Sequence, residues 1–437
     1  MRCAAVLAAL SACSFSAHGP NAAKTDGGTT SDSTLPIDGF VRPPDGGPCI
    51  TANVACASID VLRVCSSAGA QYQDTTCSWG CVATGGNPHC GTITPTSDAV
   101  DPTDLVDQAG LMDAMIAGTI NTDTGAISNT RAAGAGIVSG IGYRTHDNVA
   151  VFTAKSWSFG TTTIIGSKAA AFVATTGNIT INSTVDASGG CNPRSTGGPG
   201  GFAGGTTKNG AGTNDTTAAT GGGGGGNAGT TGGGGGGHAG TGGASKASTG
   251  GASYGDDVIT HLSGGAGGGG GNGGGGFGLG GGGGGAMQLI TAGTVNITSG
   301  ITHGISVSGC GGTKGGGGAD SGGGGGAGGT LLIEAHTITN AGSLIANGGG
   351  GGGGNSGQDG FNGIIGGFGG NGGNGNNGGN GGAGGSVNGA TTTTAGGGGG
   401  AAGRIRLNTF RGANLSAGMV SPNVGSAGAT SGSAAVQ

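Results

Sequence analysis

The chain has 437 residues; 121 are Gly, 8% are charged and 3% aromatic. A formal net charge of −5 over that length excludes the basic face a nucleic-acid partner requires. One Glu, six Lys and little Leu exclude a helical protein, and so few charges are unlike an ordinary disordered chain. Thr, Val, Ile and Ala supply the apolar segments, so the fold class expected is all-β.

Residues 1–12, "MRCAAVLAALSA", put one basic residue, Arg2, before a short apolar run, the pattern of a secretory signal. Leu10-Ser11-Ala12-Cys13 resembles the bacterial lipobox. The resemblance implies a lipid on Cys13, and Ser14 rather than Asp after it implies the outer membrane or cell surface. No other apolar run approaches the roughly 20 residues of a spanning helix, so the expected membrane partner is reached through the lipid alone. Residues 13–48 are polar and turn-rich, ending in "VRPPDGGP", and read as a tether.

Residues 49–91 form a cysteine module with Cys49, Cys56, Cys65, Cys77, Cys81 and Cys90. Its few core residues call for covalent staples, and an exported chain meets an oxidising space in which disulfides persist. Six cysteines allow about 15 pairings, left open by the sequence. The competing zinc reading lacks the paired CxxC spacing of a ribbon. Trp79 reads as the cover of this small core.

Residues 92–194 begin the strand repeats. In "NVAVFTAKSWSF" strict alternation puts Val149, Val151, Thr153, Lys155, Trp157 and Phe159 on one face of a single strand. Four segments resemble copies of one unit: "AAAFVATTGNITINSTVDASGGC", "AMQLITAGTVNITSGITHGISVSGC", "TLLIEAHTITNAGSLIANGG" and "GRIRLNTFRGANLSAGMVSPNVG". Units that cannot bury a face alone stack on one another. The expectation is a β-helix-like solenoid, with a β-sandwich as alternative. Cys191 and Cys310 end the first two copies at matching positions, and a rung spacing of about 4.8 Å suits a disulfide. Thr291, Glu334 and Asn408 align in one column beside Ile290, Ile333 and Leu407, which places Glu334 outside.

Residues 195–437 carry glycine-rich inserts at 197–285, 309–329 and 347–400. "GGNGGNGNNGGNGGAGGS", residues 369–386, keeps Asn371, Asn374, Asn377, Asn380, Ala383 and Ser386 three apart, a phase shared by Phe368, Ile365, Asn362 and Asp359; Asn376 alone departs from it. A flexible linker has no use for a phase, and collagen needs abundant Pro. Three residues per turn is polyproline II geometry, in which backbone groups point outward in three directions and bundled neighbours must come close enough to satisfy them. Only Gly permits that. An echo of "GGGGGGNAGTT" (221–231) in "GGGGGGHAGTG" (232–242) places Asn227 and His238 at equivalent turns.

These blocks resemble the polyglycine modules of PE-PGRS-type surface proteins, of phage tail-tip adhesins and of a glycine-rich antifreeze protein. The order of lipobox, tether, cysteine module and strand repeats with glycine blocks resembles glycine-rich bacterial surface lipoproteins of the myxobacterial type. That likeness implies a surface-anchored structural or adhesive protein, with polysaccharide, envelope or other copies of itself as partner.

Chemistry is sparse. No nucleotide-binding loop, calcium nonapeptide array or metal-ligand spacing emerges, so no cofactor, metal or catalytic residue is expected. Glu334 with His336, and Asp256 with Asp257, read as solvated surface, and His146-Asp147 as a turn. The alternatives are a carbohydrate-active β-helix enzyme with an unrecognised site, and an ice-binding protein using the same Thr/Asn periodicity.

Overall fold

The computed structural model describes residues 54–67, 71–83, 86–188, 191–207, 212, 232–300, 302–317, 319–355, 357–363, 369–373, 388–392, 395–412, 415–416 and 418–437. Outside them lie Cys13 with the signal and tether, Cys49, Asn227, Ile365, Phe368 and residues 374–386 of the glycine stretch. The described chain is nearly all-β, with short 3-10 turns at Pro102–Leu105 and Phe410–Gly412.

The cysteine module is a three-stranded antiparallel sheet, β1 (Val54–Ser58), β2 (Val61–Cys65) and β3 (Tyr72–Thr76), followed by the pair β4 (Cys81–Val82) and β5 (His89–Cys90). Cys56 is bonded to Cys81 and Cys77 to Cys90, and Cys65 is also disulfide-bonded. Residues 92–105, with β6 (Ile93–Thr94), then run as a strap over the main body.

The main body is built in rungs. The chain passes through β7 (Asp113–Asn121) and the antiparallel β8 (Gly136–Val138) and β9 (Ile141–His146). It then enters β10 (Val149–Ala154), β11 (Ser156–Ile165), β12 (Ala169–Ala174), β13 (Ile179–Ile181) and β14 (Thr184–Asp186). After a long glycine-rich segment come β15 (Ala286–Ile297) and β16 (Gly304–Ser306). A second such segment leads to β17 (Thr330–Asn340) and β18 (Ser343–Ile345), and a third to β19 (Arg404–Thr409), β20 (Leu415–Ser416), β21 (Met419–Ser421), β22 (Ala429–Ser433) and β23 (Ala435–Val436).

These strands form three parallel stacks. Stack A pairs β10, β12, the first halves of β15 and β17, β19 and β22. Stack B pairs β7, β11, β13, the second halves of β15 and β17, and β20. Stack C pairs the end of β11 with β14, β16, β18 and β21. Each stack sends apolar side chains inward in registered columns. Phe152, Phe172, Leu289, Ile333 and Leu407 are in register in stack A. Trp157, Ile179, Val295 and Ile338 follow in stack B, and Val185, Ile305 and Leu344 in stack C. All belong to one buried core, each large side chain contributing about 1.5–3 kcal/mol by burial.

"NVAVFTAKSWSF" is two strands rather than one. Lys155 makes a bend, and the alternation changes phase across it: Phe152 and Trp157 share the inner core, whereas Val149 and Val151 pack on the outer side of stack A. That outer side is itself buried. Val173, Ile290 and Leu332 meet Trp79, Ile93 and Val100 from the module and strap, and Ile259 and Leu262 from the first insert. A strand buried on both faces reads as an unbroken apolar run, which accounts for "AAAFVA". The last strand, β23, pairs with β6 of the strap. Cys191 and Cys310, with Cα atoms 5.4 Å apart, are disulfide-bonded and join the first two glycine-rich segments.

Those segments are hydrogen-bonded to each other through the backbone, outside any β-ladder. Along residues 322–329 the donors rotate with a period of three. Gly322, Gly325 and Gly328 donate to Ala395, Gly398 and Ala401; Gly323, Gly326 and Gly329 to Thr313, Cys310 and Val307; Gly324 and Ala327 to Gly269 and Ala266. Its carbonyls rotate likewise. Gly322 and Gly325 accept from Gly233 and Gly236, Gly323 and Gly326 from Gly352 and Gly349, and Gly324 and Ala327 from Gly281 and Gly284. The segment thus has six neighbours and no backbone group from 322 to 327 left over. A Cβ on Gly322 would fall on the Gly352 carbonyl oxygen, and one on Gly325 on that of Gly349, so the approach requires glycine. The start of the phased stretch 369–386 joins the same array: Gly370 and Gly373 donate to Gly348 and Gly351 at 2.8 and 2.9 Å.

Candidate binding face

The outer side of stack B is open. Because its inward residues are fixed by Trp157, Ile179, Val295 and Ile338, the residues on either side of each must point out. The triplets are Asp113-Ala114-Met115, Ser156-Trp157-Ser158, Asn178-Ile179-Thr180, Thr294-Val295-Asn296 and Thr337-Ile338-Thr339. One outward column runs Met115, Ser158, Thr180, Asn296, Thr339 and Ser416 in register. A second joins Asp113 to Ser156 and Thr294 to Thr337, with Asn178 between. Rungs lie about 4.8 Å apart and the two columns about 6.6 Å apart.

Local bonds stiffen this surface. Asp113 Oδ1 accepts from Ser156 Oγ at 2.6 Å. Asn178 Oδ1 accepts from the Thr294 amide at 2.8 Å, and Asn182 Nδ2 donates to Ser158 Oγ at 2.9 Å. Asn178 and Thr339 are exposed, and Ser156, Ser158, Thr180, Thr294, Asn296 and Thr337 half-buried. Asp113 is the single charge in these columns. The arrangement is a nearly neutral hydrogen-bonding surface on a rigid sheet. Its signal in the sequence is an apolar residue flanked by Ser, Thr or Asn at four rungs, with Asp113 and Met115 flanking Ala114 at the first, and it becomes visible as a surface only once the rungs are in register.

Glu334 is not on the outside. It is fully buried, and in register it faces Asn408 on one side and Ile290, not Thr291, on the other. Its carboxylate accepts from the Thr96 amide at 3.1 Å and the Thr96 hydroxyl, from Gln288 Nε2 at 2.7 Å and from Asn408 Nδ2 at 3.5 Å. Burial pushes its carboxyl up, against the downward pull of Thr96, Gln288 and Asn408. The strap that covers it lies far away in sequence, so alternation alone misplaced it.

His336 is half-buried, with its ring stacked on Phe410 at 5.0 Å. Trp79, 3% exposed, leaves its own module to fill the junction. Its Nε1 donates to the Ala292 carbonyl at 3.0 Å, and its ring meets His336 and Phe410 edge-on. Asp256 is exposed and holds a turn by accepting from the Ile259 amide at 2.6 Å, and Asp257 pairs with Arg404. Asp147 occupies a left-handed turn between β9 and β10 with φ 47°. His238 is buried within the glycine array, its Nδ1 2.7 Å from the Gly328 carbonyl and its ring stacked on Tyr254.

Among the described residues no three His, Cys, Asp or Glu come together as a metal would need. Nor is any helix among them long and apolar enough to cross a membrane. No family model matches the chain, and no curated protein or solved structure matches it either.

Proposed function

We propose that this chain is a surface-anchored structural or adhesive protein that holds neutral polysaccharide on the outer side of stack B. In this reading the three stacks wind as a β-helix-like solenoid. The supporting fact is that the chain visits A, B and C in turn and returns one rung further on, always parallel. The glycine segments form a polyglycine II bundle, supported by the threefold rotation of donors along residues 322–329. The lipobox-like Leu10-Ser11-Ala12-Cys13 supplies an outer-membrane or cell-surface anchor through a lipid on Cys13, and residues 13–48 hold the body off the membrane.

The observation that carries the ligand class is the double column of Ser, Thr and Asn. Hydroxyl and amide groups at fixed spacing match a polymer whose own hydroxyls repeat, and a nearly uncharged face excludes no neutral chain. The full chain is expected to be retained on an insoluble neutral polysaccharide such as cellulose or chitin. Thr180→Lys with Thr339→Lys should reduce retention at least about tenfold, since burying two unpaired charges in the contact costs well over 1.4 kcal/mol. The melting transition should stay in place because both side chains point to solvent. No retention of the wild type on any such polymer, or equal retention of the variant, would sink the proposal. The same columns also favour a second reading, ice binding, which an ice-recrystallisation assay on the same two proteins tests. Release of reducing ends from the polymer would instead point to a carbohydrate-active enzyme.

A further inference from the structure

We propose that residues 92–105 are a pH-gated strap, fastened over the outer side of stack A while Glu334 holds a proton and loosened when it gives that proton up. Glu334 is the one Glu in the chain and has no exposed surface. The partners described above are neutral, and the strap supplies two of them through Thr96. Thr96 Oγ1 can also accept, so the protonated acid keeps its bond to the strap. Ser97 extends the contact by donating to Gln288 Oε1 at 2.6 Å. A carboxylate buried among neutral donors is costly, and water reaches it once the strap lifts. The ionised form therefore favours release.

The charged groups on the surrounding elements do not cancel this. Arg406 on β19 reaches Glu334 only through Asn408, donating from Nε to its Oδ1 at 2.7 Å. Arg404 is paired with Asp257, and Arg144 on β9 with Asp101 and Asp104 of the strap. His336, also on β17, is stacked on Phe410. Asp98 of the strap also pairs with His261 at 2.7 Å, a second charged contact that needs a control.

The sign follows from linkage. Burial raises Glu334 from its ordinary 4.5, so the fastened strap binds the proton more tightly than the released one. The stabilisation is complete below 4.5 and is lost as pH rises through the higher value of the closed state. Release would lift Ile93 and Val100 from the apolar row beneath, Val149, Val151, Val173, Ile290 and Leu332, and leave it covered by Trp79 and the first insert.

The test is hydrogen exchange of the full chain from pH 4 to 9, read on the peptide spanning Thr96 and corrected for intrinsic exchange. Protection should fall with rising pH by no more than about tenfold per unit, the limit for one proton. Protection of β15 and β17 should persist. Glu334→Gln should flatten the profile, and His261→Gln should leave the fall in place. A flat wild-type profile, or a fall that survives Glu334→Gln, overturns the proposal. If Glu334→Gln does not fold, Gln288→Met removes one donor to the carboxylate. The midpoint should then move to higher pH, and an unmoved midpoint is equally fatal.

Discussion

One methyl group at Gly324 distinguishes a packed glycine array from a slack connector by the sign of its effect. A Cβ there would fall on the carbonyl oxygen of Gly234. That oxygen accepts from the Gly269 amide at 2.7 Å, while Gly324 donates to Gly269 and accepts from Gly281, each at 2.8 Å. Moving the backbones apart disturbs all three bonds. Each buried bond lost costs about 1–3 kcal/mol, so Gly324→Ala should destabilise by about 3 kcal/mol or more, lowering the melting transition by several degrees. In a flexible connector the same change removes unfolded-state freedom and stabilises by about 0.4–1 kcal/mol. Gly274 provides the internal control: it is exposed, and a Cβ there has no atom within 4 Å. Calorimetry of Gly324→Ala beside Gly274→Ala reads the difference, and exchange of the amides across 322–329 locates it. Equal melting of the two variants, with those amides exchanging at once, would refute the packing argument.

Two further outcomes are expected. Replacing Cys191 with Ser frees a link of sequence separation 119, which should cost about 3–5 kcal/mol, read as the difference between non-reducing denaturation of the variant and of the wild type. Cys13→Ser should abolish labelling by a palmitate analogue and leave the protein unprocessed or soluble, and persistent labelling would remove the anchor from the proposal.

The parts of the fold readable in the sequence are those set by local alternation. Each repeat opens at a strand of stack A, and the pairings Ile333 with Leu407 and Glu334 with Asn408 hold in register. Three kinds of error remain. Alternation cannot see a corner, so Lys155, where the chain turns from stack A to stack B, hid a change of phase. Nor can it see a distant cover: Glu334 and Trp79 are buried because the strap and module fold back over β15 and β17. Thr291 was misplaced by a single residue, and in a strand one residue exchanges inside for outside. The glycine phase reveals that neighbours exist in three directions but not which segments they are, since every glycine offers the same surface. The candidate binding face was legible only as scattered Ser, Thr and Asn, because its columns exist between rungs rather than along them.

The segment 322–329 also sets an order of events in time. It bonds to residues 266–284, made before it, and to residues 349–352 and 395–401, made after it. As the chain emerges vectorially, the carbonyls of Gly323 and Gly326 wait for Gly352 and Gly349, and the amides of Gly322, Gly325 and Gly328 wait for Ala395, Gly398 and Ala401, some seventy residues still to come. The earlier rungs can therefore close on their own while the glycine array cannot be sealed until β19 arrives. Such non-local pairing makes for slow folding. A transit that delivers the chain unfolded and all at once would spare the half-built array a long exposure.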